Sequence, residues 1–454
     1  MKLSKLSDIA KAVNSFSPVD GEITEICTDT RTLIPGCLFL ALKGDKFDGH
    51  EYIAKALESG AVAVICERTA GFAEKEILVP DTRCALMKIA HWYRRLFNPV
   101  VIAVTGSAGK TTTKEMAALV FGSTFKTLYN EGNLNNEIGL PKTLFNLDDS
   151  YQAAVLEMGM NNFGEISRLS LAAAPHAGII TNIGTAHIEK LGSKENILKA
   201  KTEITDGMPP DAPLIVNGDD PLLSKLKPGD RPVITFGIEA PVLDFTAREI
   251  RQQGDSTLFT LTCAKGDFKA ELPAAGNHNV CNALAAIAAG DFAGIQPEIA
   301  VKALSGYKPA GMRQKTNTIK GIIFIEDCYN ANPESMLAAL AVLNDMPARR
   351  RIAVLGDMLE LGSYSEEAHL KLGEAAAEYN VDILFTYGER TLDTALQAEK
   401  SGVAAVRSFS DKNEMAKELL SLLSAGDAVL FKGSRGMALE DVIDILYKGL
   451  EEKG

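Results

Sequence analysis

The stretch VIAVTGSAGKTTTKE, residues 101–115, limits the possible folds of this chain more than any other segment. A continuous apolar run leads into a turn with two glycines, and Lys110, Thr111 and a helix-like segment follow. Such an apolar run is typical of a strand that is buried on both faces of a parallel sheet. A strand, a glycine turn and a helix in this order predict a phosphate-binding loop.

This loop departs from the usual pattern G-x-x-x-x-G-K-[ST], because Val104 occupies the place of the first glycine. Gly106 and Gly109 still remove side chains where the backbone must approach an anion, and N–H groups at a helix start attract phosphate oxygens. Lys110 would neutralise the β- and γ-phosphates, and the Thr111 hydroxyl would bind Mg²⁺. A turn that merely joins a strand to a helix explains these residues less well.

Length and charge narrow the class of protein. The 454 residues predict about three domains, and the net charge of −12 disfavours general binding to nucleic acid or membranes. The seven cysteines are scattered without a C-x-x-C pair, which is typical of reduced cytosolic thiols. No signal-peptide pattern or membrane-spanning run is evident. We expect a soluble, cytoplasmic protein, monomeric by default, without membrane insertion or a nucleic-acid partner.

Alternating apolar runs and helical patterns predict an α/β fold with three domains, at residues 1–98, 99–311 and 312–454. The first contains short strand-like runs such as CLFLAL and AVAVIC. The second begins with the phosphate-loop strand, and the runs AAVLEMG, AGIITNIG, PLIVNG and PVITFG predict a mostly parallel sheet of the P-loop ATPase type. The third follows the linker YKPAGMRQK and predicts a Rossmann-like α/β domain.

Two further segments of the middle domain have distinct patterns. Alternating residues between about 242 and 272 predict antiparallel hairpins, and NHNVCNALAAIAAG predicts an alanine-rich helix. Asn282 lies one turn inside that helix, where capping does not explain a polar side chain. Its amide could therefore contact an adenine edge.

Several polar residues follow the predicted strands. Glu157 ends the run AAVLE, at the sheet edge where ligands bind in open α/β sheets, and it is a natural Mg²⁺ ligand beside a phosphate loop. His187 follows AGIITNIGTA, and Lys201 lies in ILKAKTEI. Spacing alone does not separate these two from a structural histidine and a solvated lysine.

The segment IEDCYNANPESM places Asp327, Tyr329, Asn330 and Asn332 between a predicted strand and a helix that starts near Pro333. Polar residues at such a position are typical of a ligand-binding loop. An ordinary polar turn explains the same residues equally well.

The order of the motifs along the chain is more specific than any single motif. The segments TGSAGKTTT, LEMGMNNFGEI, TNIGTAHIE, KAKTEI, GNHNVCNALAA and AGMRQ follow one another. In this order they resemble the Mur ligases of peptidoglycan synthesis, which use ATP to join an amino acid or a dipeptide to a UDP-muramoyl precursor. The segments CTDTRTLIPGCLFLALKGDKFDGHEYI, DCYNANPESM, LGDMLELG and FKGSRGMALE are most similar to the dipeptide-adding members. The D-N-P-R motif of members that add a diamino acid is absent.

The resemblance implies an ATP-dependent ligase that joins D-alanyl-D-alanine to UDP-N-acetylmuramoyl-tripeptide through an acyl phosphate. The product would be the UDP-muramoyl-pentapeptide precursor of the cell wall, which links the enzyme to cell shape, cell division and the cell cycle. The first domain would bind the UDP-muramoyl substrate, the second ATP, and the third the nucleotide and the dipeptide. ATP and two Mg²⁺ ions would be required.

The same resemblance implies a role for each candidate residue. The catalytic residues would be Lys110, Glu157, His187 and Lys201. The ATP-binding residues would be Gly106, Ser107, Ala108, Gly109, Lys110, Thr111, Thr112, Asn282, Arg313 and Asp327. The substrate-binding residues would be Thr30, Arg31, Asn135, Asn136, Tyr329, Asn330 and Asn332. The metal ligands would be Thr111, Glu157, His187 and a carbamylated Lys201.

Three alternatives stay open at this point. Another Mur-type ligase or a folylpolyglutamate synthetase is one, although the latter usually has Gly-Lys-Gly-Ser where Thr111 follows Lys110 here. A P-loop switch or motor is another, although no guanine-reading N-K-x-D motif accompanies the loop. A non-catalytic binding protein is the third, and the intact Lys110, Glu157, His187 and Lys201 argue against it. The sequence does not distinguish lysine from diaminopimelate as the third residue of the muramoyl peptide.

Overall fold

The computed structural model describes residues 1–44, 47–227, 229, 231–309 and 311–452. Within them the chain forms α/β domains along its length, each with a sheet of its own, as the sequence predicts. Ala310, in the predicted linker, lies outside the described residues. The exact domain boundaries stay predictions.

The N-terminal part is a small parallel sheet with helices packed against it. Its strands are β1 (Ser4–Lys5), β2 (Glu22–Ile23), β3 (Ile26–Cys27), β4 (Leu38–Leu40), β5 (Ala63–Cys66) and β6 (Glu76–Leu78). Its helices are α1 (Leu6–Ala12), α2 (Ile53–Glu58) and α3 (Thr82–Arg94), with a 3₁₀ turn at Gly49–Tyr52. Strands β3 to β6 pair in parallel in chain order, and β1 pairs antiparallel with β2. The runs CLFLAL and AVAVIC contribute β4 and β5, whose side chains are all buried.

Helix α3 attaches this sheet to the middle domain. The Tyr93 hydroxyl donates to the Leu147 carbonyl at 2.8 Å, and the buried Arg94 guanidinium donates to the Ala173 carbonyl at 3.0 Å. Burial lowers the pKa of Arg94 to about 10. An arginine buried among backbone carbonyls must keep these acceptors, because an unpaired buried cation is costly. The contacts hold the N-terminal and middle domains together.

The middle domain contains the phosphate-loop strand in the interior of a mixed sheet, third from one edge. Its strands are β7 (Val100–Thr105), β8 (Thr127–Tyr129), β9 (Ala153–Glu157), β10 (Ala177–Ile180), β11 (Leu214–Asn217), β12 (Val233–Gly237), β13 (Phe245–Gln253), β14 (Ser256–Cys263) and β15 (Gly266–Leu272). Its helices are α4 (Lys110–Gly122), α5 (Gly139–Leu144), α6 (Glu165–Ala173), α7 (Ile188–Leu191), α8 (Lys194–Thr202), α9 (Asn277–Phe292) and α10 (Pro297–Leu304). Short 3₁₀ turns lie at Glu203–Thr205 and Leu223–Lys225.

The strand order is β15-β14-β13-β12-β11-β10-β7-β9-β8. All neighbours from β8 to β13 are parallel, whereas β13, β14 and β15 form the predicted antiparallel hairpins. Because β9, β7 and β10 are adjacent and parallel, their carboxyl ends meet at one sheet edge, where ligands bind in this class of fold. The alanine-rich helix α9 packs against α4, whose first residues follow the phosphate loop.

The C-terminal domain confirms the predicted third α/β unit. Its strands are β16 (Lys315–Ile319), β17 (Ile322–Glu326), β18 (Arg350–Gly356), β19 (Ile383–Tyr387), β20 (Ala405–Phe409) and β21 (Asp427–Lys432). Its helices are α11 (Pro333–Asp345), α12 (Ser365–Glu378), α13 (Thr391–Ser401), α14 (Lys412–Leu422) and α15 (Glu440–Glu452), with 3₁₀ turns at Gly362–Tyr364 and Arg435–Met437. The order is β16-β17-β21-β18-β19-β20, parallel except for the pair β16–β17.

The sequence-based prediction lacks the edge strands β8, β16 and β20. Edge strands are half exposed and carry polar residues, as in KTNTI of β16, so they lack the continuous apolar run that marks a central strand. In the described part of the chain, no helix is long and apolar enough to cross a membrane.

Candidate active site

The phosphate loop connects β7 to α4 through two glycines with left-handed backbone. Gly106 has φ +152°, and a Cβ on it would overlap the Thr181 hydroxyl. Gly109 has φ +78°, and its Cβ would come within 2.5 Å of Asn282 Oδ1. Both positions therefore require glycine for conformation and for space. These contacts fix a tight turn at the N-terminus of α4, where phosphate groups bind.

Val104 explains why the loop is short. It is fully buried in β7 and pairs with Glu157 of β9 and Ile179 of β10. The strand therefore continues to Thr105, and the turn begins only at Gly106. Val104, at the position of the usual first glycine, lies within the strand β7. A loop with this spacing therefore needs no glycine there.

Residues that follow β10 hold the loop from one side. The Asn182 side chain accepts from the Ala108 N–H at 2.8 Å and donates to the Ala108 carbonyl at 3.0 Å. The Gly184 N–H donates to the Ser107 hydroxyl at 2.8 Å. Asn182 was not among the predicted site residues. Its position directly after the strand next to β7 is the signal that could have identified it.

Lys110 folds back over the loop. Its Nζ donates to the carbonyls of Gly106 at 2.9 Å and Ser107 at 3.4 Å. Burial lowers the pKa of Lys110, and the nearby Glu157 carboxylate partly offsets that effect. A half-buried cation whose hydrogen bonds go only to carbonyl groups favours the approach of an anion. This arrangement suits a phosphate group placed against the loop.

Glu157, at the end of β9, carries the carboxylate of the site. Its side chain is buried, and Oε2 accepts from the Thr111 hydroxyl at 2.8 Å while Oε1 accepts from Asn135 Nδ2 at 2.8 Å. The Asn130 side chain bonds the Glu157 N–H and carbonyl at 2.8 and 3.0 Å, which fixes the strand end. Thr111 and Glu157, predicted as metal ligands from sequence, therefore lie in direct contact.

This pair fits the oxygen preference of Mg²⁺. Mg²⁺ is commonly held by one or two carboxylates, water and substrate phosphates rather than by a cage of protein ligands. Among the residues that the structure describes, no group of three His, Cys, Asp or Glu side chains could hold a metal ion. The carboxylate and hydroxyl oxygens of Glu157 and Thr111 are the ligands that the loop offers.

Lys201 on α8 is buried, with 1% of its surface exposed, although its sequence context is that of a solvated helix lysine. No hydrogen-bond partner of its Nζ is found in the described part of the chain. Burial, and secondarily the charge of Lys110, lower the pKa of Lys201 well below the usual value. Burial of this kind favours the neutral, nucleophilic amine over the ammonium form.

His187 joins the middle domain to the C-terminal domain. It precedes α7 with φ +63°, and its Nδ1 lies 2.8 Å from Oε2 of Glu360, which itself has φ +64°. The hydrogen bond with His187 lowers the pKa of Glu360. Glu360 was not predicted from the sequence. It lies in the segment LGDMLELG, which is part of the family resemblance but carries no residue with a predicted role.

The C-terminal domain contributes a second group of polar residues. Asp327 follows β17, and its Oδ2 accepts from the buried Lys432 Nζ at 2.7 Å. The Arg313 guanidinium stacks on the Tyr329 ring, 4.0 Å from its centroid. Lys432 also donates to the Asn330 carbonyl at 3.2 Å. The polar loop after β17 is thus ordered by a lysine that sequence analysis did not identify.

Asn332 and Asn282 both support the phosphate loop. Asn332 caps α11 through a bond from the Ser335 N–H at 2.9 Å, and its Nδ2 lies 3.4 Å from the Ser107 carbonyl. Asn282 Oδ1 accepts from the Thr113 hydroxyl at 3.1 Å. The structure therefore gives Asn282 a loop-supporting contact, and its contact with adenine stays a prediction.

These residues surround a cavity of about 910 Å³ between the middle and C-terminal domains. The predicted site residues that line it are Ser107, Ala108, Gly109, Lys110, Thr111, Thr112, Asn135, Asn136, Glu157, His187, Lys201, Asn282, Arg313, Asp327, Tyr329, Asn330 and Asn332.

Thr30 and Arg31 do not line this cavity. They lie in the N-terminal domain, where the exposed Arg31 pairs with Asp29 at 2.6 Å and lowers the pKa of that carboxyl to about 2. Their role in binding the uridine nucleotide stays a prediction.

Glu334, in the first turn of α11, ties the two domains together beside the cavity. Its carboxylate accepts from the Thr185 N–H at 3.0 Å and the Thr185 hydroxyl at 3.2 Å, and Lys194 Nζ lies 3.4 Å away. A Cβ on Gly184 would come within 2.5 Å of the Glu334 carboxylate carbon. Because Gly184 also bonds Ser107, the tie connects the C-terminal domain to the phosphate loop.

We expect Glu334→Gln to weaken this tie and to raise the KM for ATP about 5- to 10-fold, because an amide oxygen accepts less strongly than a carboxylate. Thr185→Ala removes the hydroxyl donor, and the double variant should be no worse than the more affected single variant, since coupled partners are not additive. Steady-state kinetics of the wild type, the two single variants and the double variant measures the KM for ATP of each. Glu366→Gln, in the first turn of α12, is the matched control. Full additivity would show that Glu334 and Thr185 act independently.

The geometry of the site defines a class of protein. A glycine turn at a helix N-terminus, a buried carboxylate on the adjacent strand and a second α/β domain over the cleft are the features of a multidomain P-loop nucleotide-binding protein.

Comparison with known proteins identifies the family. The Mur ligase family catalytic domain matches residues 22–98, the Mur ligase middle domain matches 104–290, and the Mur ligase glutamate ligase domain matches 312–435. The chain belongs to the Mur ligase family, which confirms the resemblance seen in its sequence.

The relatives extend over nearly the whole chain. UDP-N-acetylmuramoyl-tripeptide–D-alanyl-D-alanine ligase of Bacillus subtilis is 40% identical, with 93% of each chain covered. The enzyme of that name from Escherichia coli is 38% identical over 100% of this chain and 98% of its own length. A crystal structure of MurF from Acinetobacter baumannii matches with a TM-score of 0.92 at 33% identity, covering 98% of this chain and 99% of its own. MurF ligase from Thermotoga maritima in complex with ADP matches with a TM-score of 0.88 at 29% identity, covering 95% and 98%.

Proposed function

We infer that this protein is an ATP-dependent ligase that joins D-alanyl-D-alanine to UDP-N-acetylmuramoyl-tripeptide in peptidoglycan synthesis. The observation that carries this function is the cleft formed by the phosphate loop and the C-terminal domain, in a chain whose relatives with that activity match over nearly its full length. The product is the UDP-muramoyl-pentapeptide. The ADP complex of the Thermotoga maritima relative supports the use of ATP.

The reaction proceeds through an acyl phosphate in our proposal. A terminal carboxylate of the tripeptide attacks the γ-phosphorus of ATP. The bond from that phosphorus to the oxygen that bridges it to the β-phosphate breaks, and ADP leaves. The amine of the dipeptide then attacks the acyl carbon, and the tetrahedral intermediate expels inorganic phosphate while the amine loses a proton. The first step brings two anions together, so fixed positive charge is the main requirement of the site.

The residues of the phosphate loop meet that requirement. Lys110 and the N–H groups at the start of α4 hold the phosphates of ATP against the turn. Glu157 and Thr111 are the proposed ligands of Mg²⁺, whose chemistry is to neutralise charge on the transferred phosphoryl group. Asn135 holds Glu157 in place from the opposite side. These assignments follow from position and charge.

Lys201 is proposed to carry a carbamate. Its buried amine has a depressed pKa and no protein partner among the described residues, and a neutral amine is the form that reacts with CO₂. The amine nitrogen attacks the carbon of CO₂ and loses a proton, which gives an anionic carbamate with two oxygen donors. A carbamate would then be a further oxygen ligand beside Glu157 and His187, and it would balance the charge of Lys110.

Closure of the cleft excludes water from the acyl phosphate in this proposal. The C-terminal domain contacts the phosphate loop through Asn332, Thr185 through Glu334, and His187 through Glu360. Water would otherwise hydrolyse the activated carboxyl group before the amine attacks it.

We propose that the enzyme acts in the cytoplasm as a monomer. Its cysteines, all within the described residues, are free.

An ADP-release assay with defined substrate pairs tests the function. We expect ADP release when UDP-muramoyl-tripeptide and D-alanyl-D-alanine are both present, and little release when either is omitted. Folate with glutamate is the competing pair, and turnover with that pair alone would contradict the proposal. ATP hydrolysis at full rate without any acceptor would instead indicate a P-loop switch or motor.

A further inference from the structure

Gln314 directly follows Arg313 in the linker segment YKPAGMRQK, and its backbone is left-handed, with φ +52°. Arg313 has a predicted role in binding ATP, whereas the sequence predicts no role for Gln314. A left-handed backbone is unfavourable for a residue with a side chain, and it persists where the surrounding structure holds it in place. The contacts of Gln314 therefore show what fixes the linker at this point.

The side chain of Gln314 is bonded to the first turn of the alanine-rich helix α9. Its Oε1 accepts from Asn279 Nδ2 at 2.7 Å and lies 3.1 Å from His278 Nε2. A glutamine carbonyl oxygen only accepts, so the His278 ring carries a proton on Nε2 in this arrangement. Burial lowers the pKa of His278, which favours the neutral ring. Two donors of the middle domain thus hold one acceptor of the linker.

From Asn279 the hydrogen bonds continue to the phosphate loop. Asn279 Oδ1 accepts from Asn282 Nδ2 at 3.3 Å, and Asn282 Oδ1 accepts from the Thr113 hydroxyl at 3.1 Å, in the first turn of α4. Both asparagines are buried. Buried amides with matched donors and acceptors specify one arrangement of the elements that carry them. These bonds form a linker network, which consists of Gln314, His278, Asn279, Asn282 and Thr113.

The start of α9 is also packed against the C-terminal domain. Gly276 precedes the helix with φ +92°, and a Cβ on it would lie 2.8 Å from His278 Cε1 and 2.8 Å from Val342 Cγ2 of α11. The helix start and α11 therefore leave no space for a side chain there. The linker is thus bonded to a helix end that is itself fixed by the domain to which the linker leads.

Arg313 is held on its other side by the loop after β17. Its guanidinium stacks on the Tyr329 ring, 4.0 Å from the centroid, and the Tyr329 N–H donates to the Met312 carbonyl at 3.3 Å. Burial is the main cause of the lowered pKa of Lys110, and the charge of Arg313 adds to it, so the two cations face the same space. The cavity is lined by Arg313 together with Lys110, His278, Asn279, Asn282 and Gln314.

We propose that Gln314 is a positioning residue of the reaction, which fixes Arg313 beside the phosphate loop by anchoring the linker to α9. The proposal rests on the proposed function, because it concerns how ATP is held for that reaction. Gln314 acts through Arg313 rather than on the substrate. The linker network places Arg313 and the phosphate loop in one frame before ATP arrives, and charge that is fixed in advance stabilises a transferred phosphoryl group without reorganisation.

Gln314→Met tests the anchor in the intact enzyme. Methionine keeps the length of the side chain but removes the carbonyl acceptor. We expect kcat for ADP release with both substrates to fall by about 5- to 10-fold, as for the loss of neutral hydrogen bonds. The KM values for UDP-muramoyl-tripeptide and the dipeptide should stay near those of the wild type. Asn279 keeps the Ala275 carbonyl as an acceptor at 2.8 Å, so the thermal midpoint should change little.

A double variant separates positioning from a general structural role. Arg313→Met should lower kcat by about 10²-fold, as for the removal of one electrostatic contact to a transition state. Gln314→Met in that background should cause no further loss, because the residue through which Gln314 acts is gone. Independent effects would instead multiply. A double variant slower than Arg313→Met by the full factor of Gln314→Met, or wild-type kcat in Gln314→Met, would overturn the assignment.

Gln397→Met is the matched control. The Gln397 amide also makes a side-chain hydrogen bond, to Glu374 at 3.1 Å, but Gln397 lies on α13 outside the cavity. This variant should keep the wild-type kcat. A loss equal to that of Gln314→Met would show that the effect does not depend on the linker, and it would refute the proposal.

Two further measurements cover the remaining outcomes. If Gln314→Met does not fold, Gln314→Ala takes its place, and the same absence of further loss in the Arg313→Met background is required. If turnover of the variants is too slow to measure, calorimetry with a non-hydrolysable ATP analogue compares the four proteins, and losses of affinity that multiply refute the positioning role. A wild type that binds the analogue but does not ligate would count against the proposed function alone. Multiplying losses in an enzyme that does ligate would count against the role of Gln314 alone.

Discussion

Replacing Lys110 by methionine is expected to lower kcat for ADP release with both substrates present by about 10²- to 10³-fold, the usual effect of removing one electrostatic contact to a transition state. Methionine keeps the length and apolar stem of lysine but removes the charge. The Lys110 ammonium is held over the turn by the Gly106 and Ser107 carbonyls, so its position is fixed before ATP arrives. Charge that is fixed in advance stabilises the transferred phosphoryl group without reorganisation.

Lys110→Met should lower kcat much more than it lowers the thermal stability of the protein. Lys110 is half-buried, and desolvation lowers its pKa, so removal of the charge should not lower the thermal midpoint. Lys302→Met on α10 is the control, because that lysine is exposed and lies outside the cavity. Turnover of Lys110→Met within a few-fold of wild type would show that the loop does not hold the phosphoryl group during transfer.

Lys201→Ala is expected to reduce turnover by about 10²-fold or more, and millimolar formate or acetate should restore part of it. The side chain is buried without a partner among the described residues, which is unfavourable for an ordinary lysine. The proposed carbamate would remove this cost, because it would place an anion near Lys110. Alanine leaves a space in which a small carboxylate can take the place of the carbamate, and ADP release with increasing formate measures the rescue.

A direct measurement separates the carbamate from a role for the free amine. Carbon-13 NMR of the wild-type protein in labelled bicarbonate should show a carbamate signal that Lys201→Ala lacks. Lys199→Ala, two residues away on the exposed face of α8, should keep both the signal and the activity. Wild-type turnover in Lys201→Ala, or a signal that survives in it, would refute the modification. Loss of activity without rescue and without a signal in the wild type would indicate that the amine itself acts.

The central strands and the phosphate loop were predictable because their information is local. A fully buried strand shows a continuous apolar run, and a tight turn shows glycine, so β7 and the turn at Gly106 and Gly109 are evident from adjacent residues. The alternation in β13 to β15 predicted antiparallel hairpins for the same reason. Polar edge strands such as β16 were missed, because their pairing depends on a neighbour that composition does not reveal.

The site residues also fall into those that local sequence predicts and those that depend on contacts between distant segments. Glu157 was predicted because parallel strands bring their carboxyl ends together, and the structure places it against Thr111. The sequence could not separate Lys201 from a solvated lysine, since burial of α8 depends on the elements packed around it. Glu334 and Glu360 were missed for a related reason. They meet Thr185 and His187 across the domain interface, and Glu334 is separated from Thr185 by 149 positions in the chain.

The sequence by itself therefore determined the α/β class, the phosphate loop and the family, because contiguous residues encode strands, turns and motifs. The tertiary structure alone decided which side chains of different domains meet. It buried Lys201, paired His187 with Glu360 and formed the cleft between the middle and C-terminal domains. The physical reason is that burial and contact across an interface depend on how whole domains pack, and hydrophobic periodicity along the chain does not specify that packing.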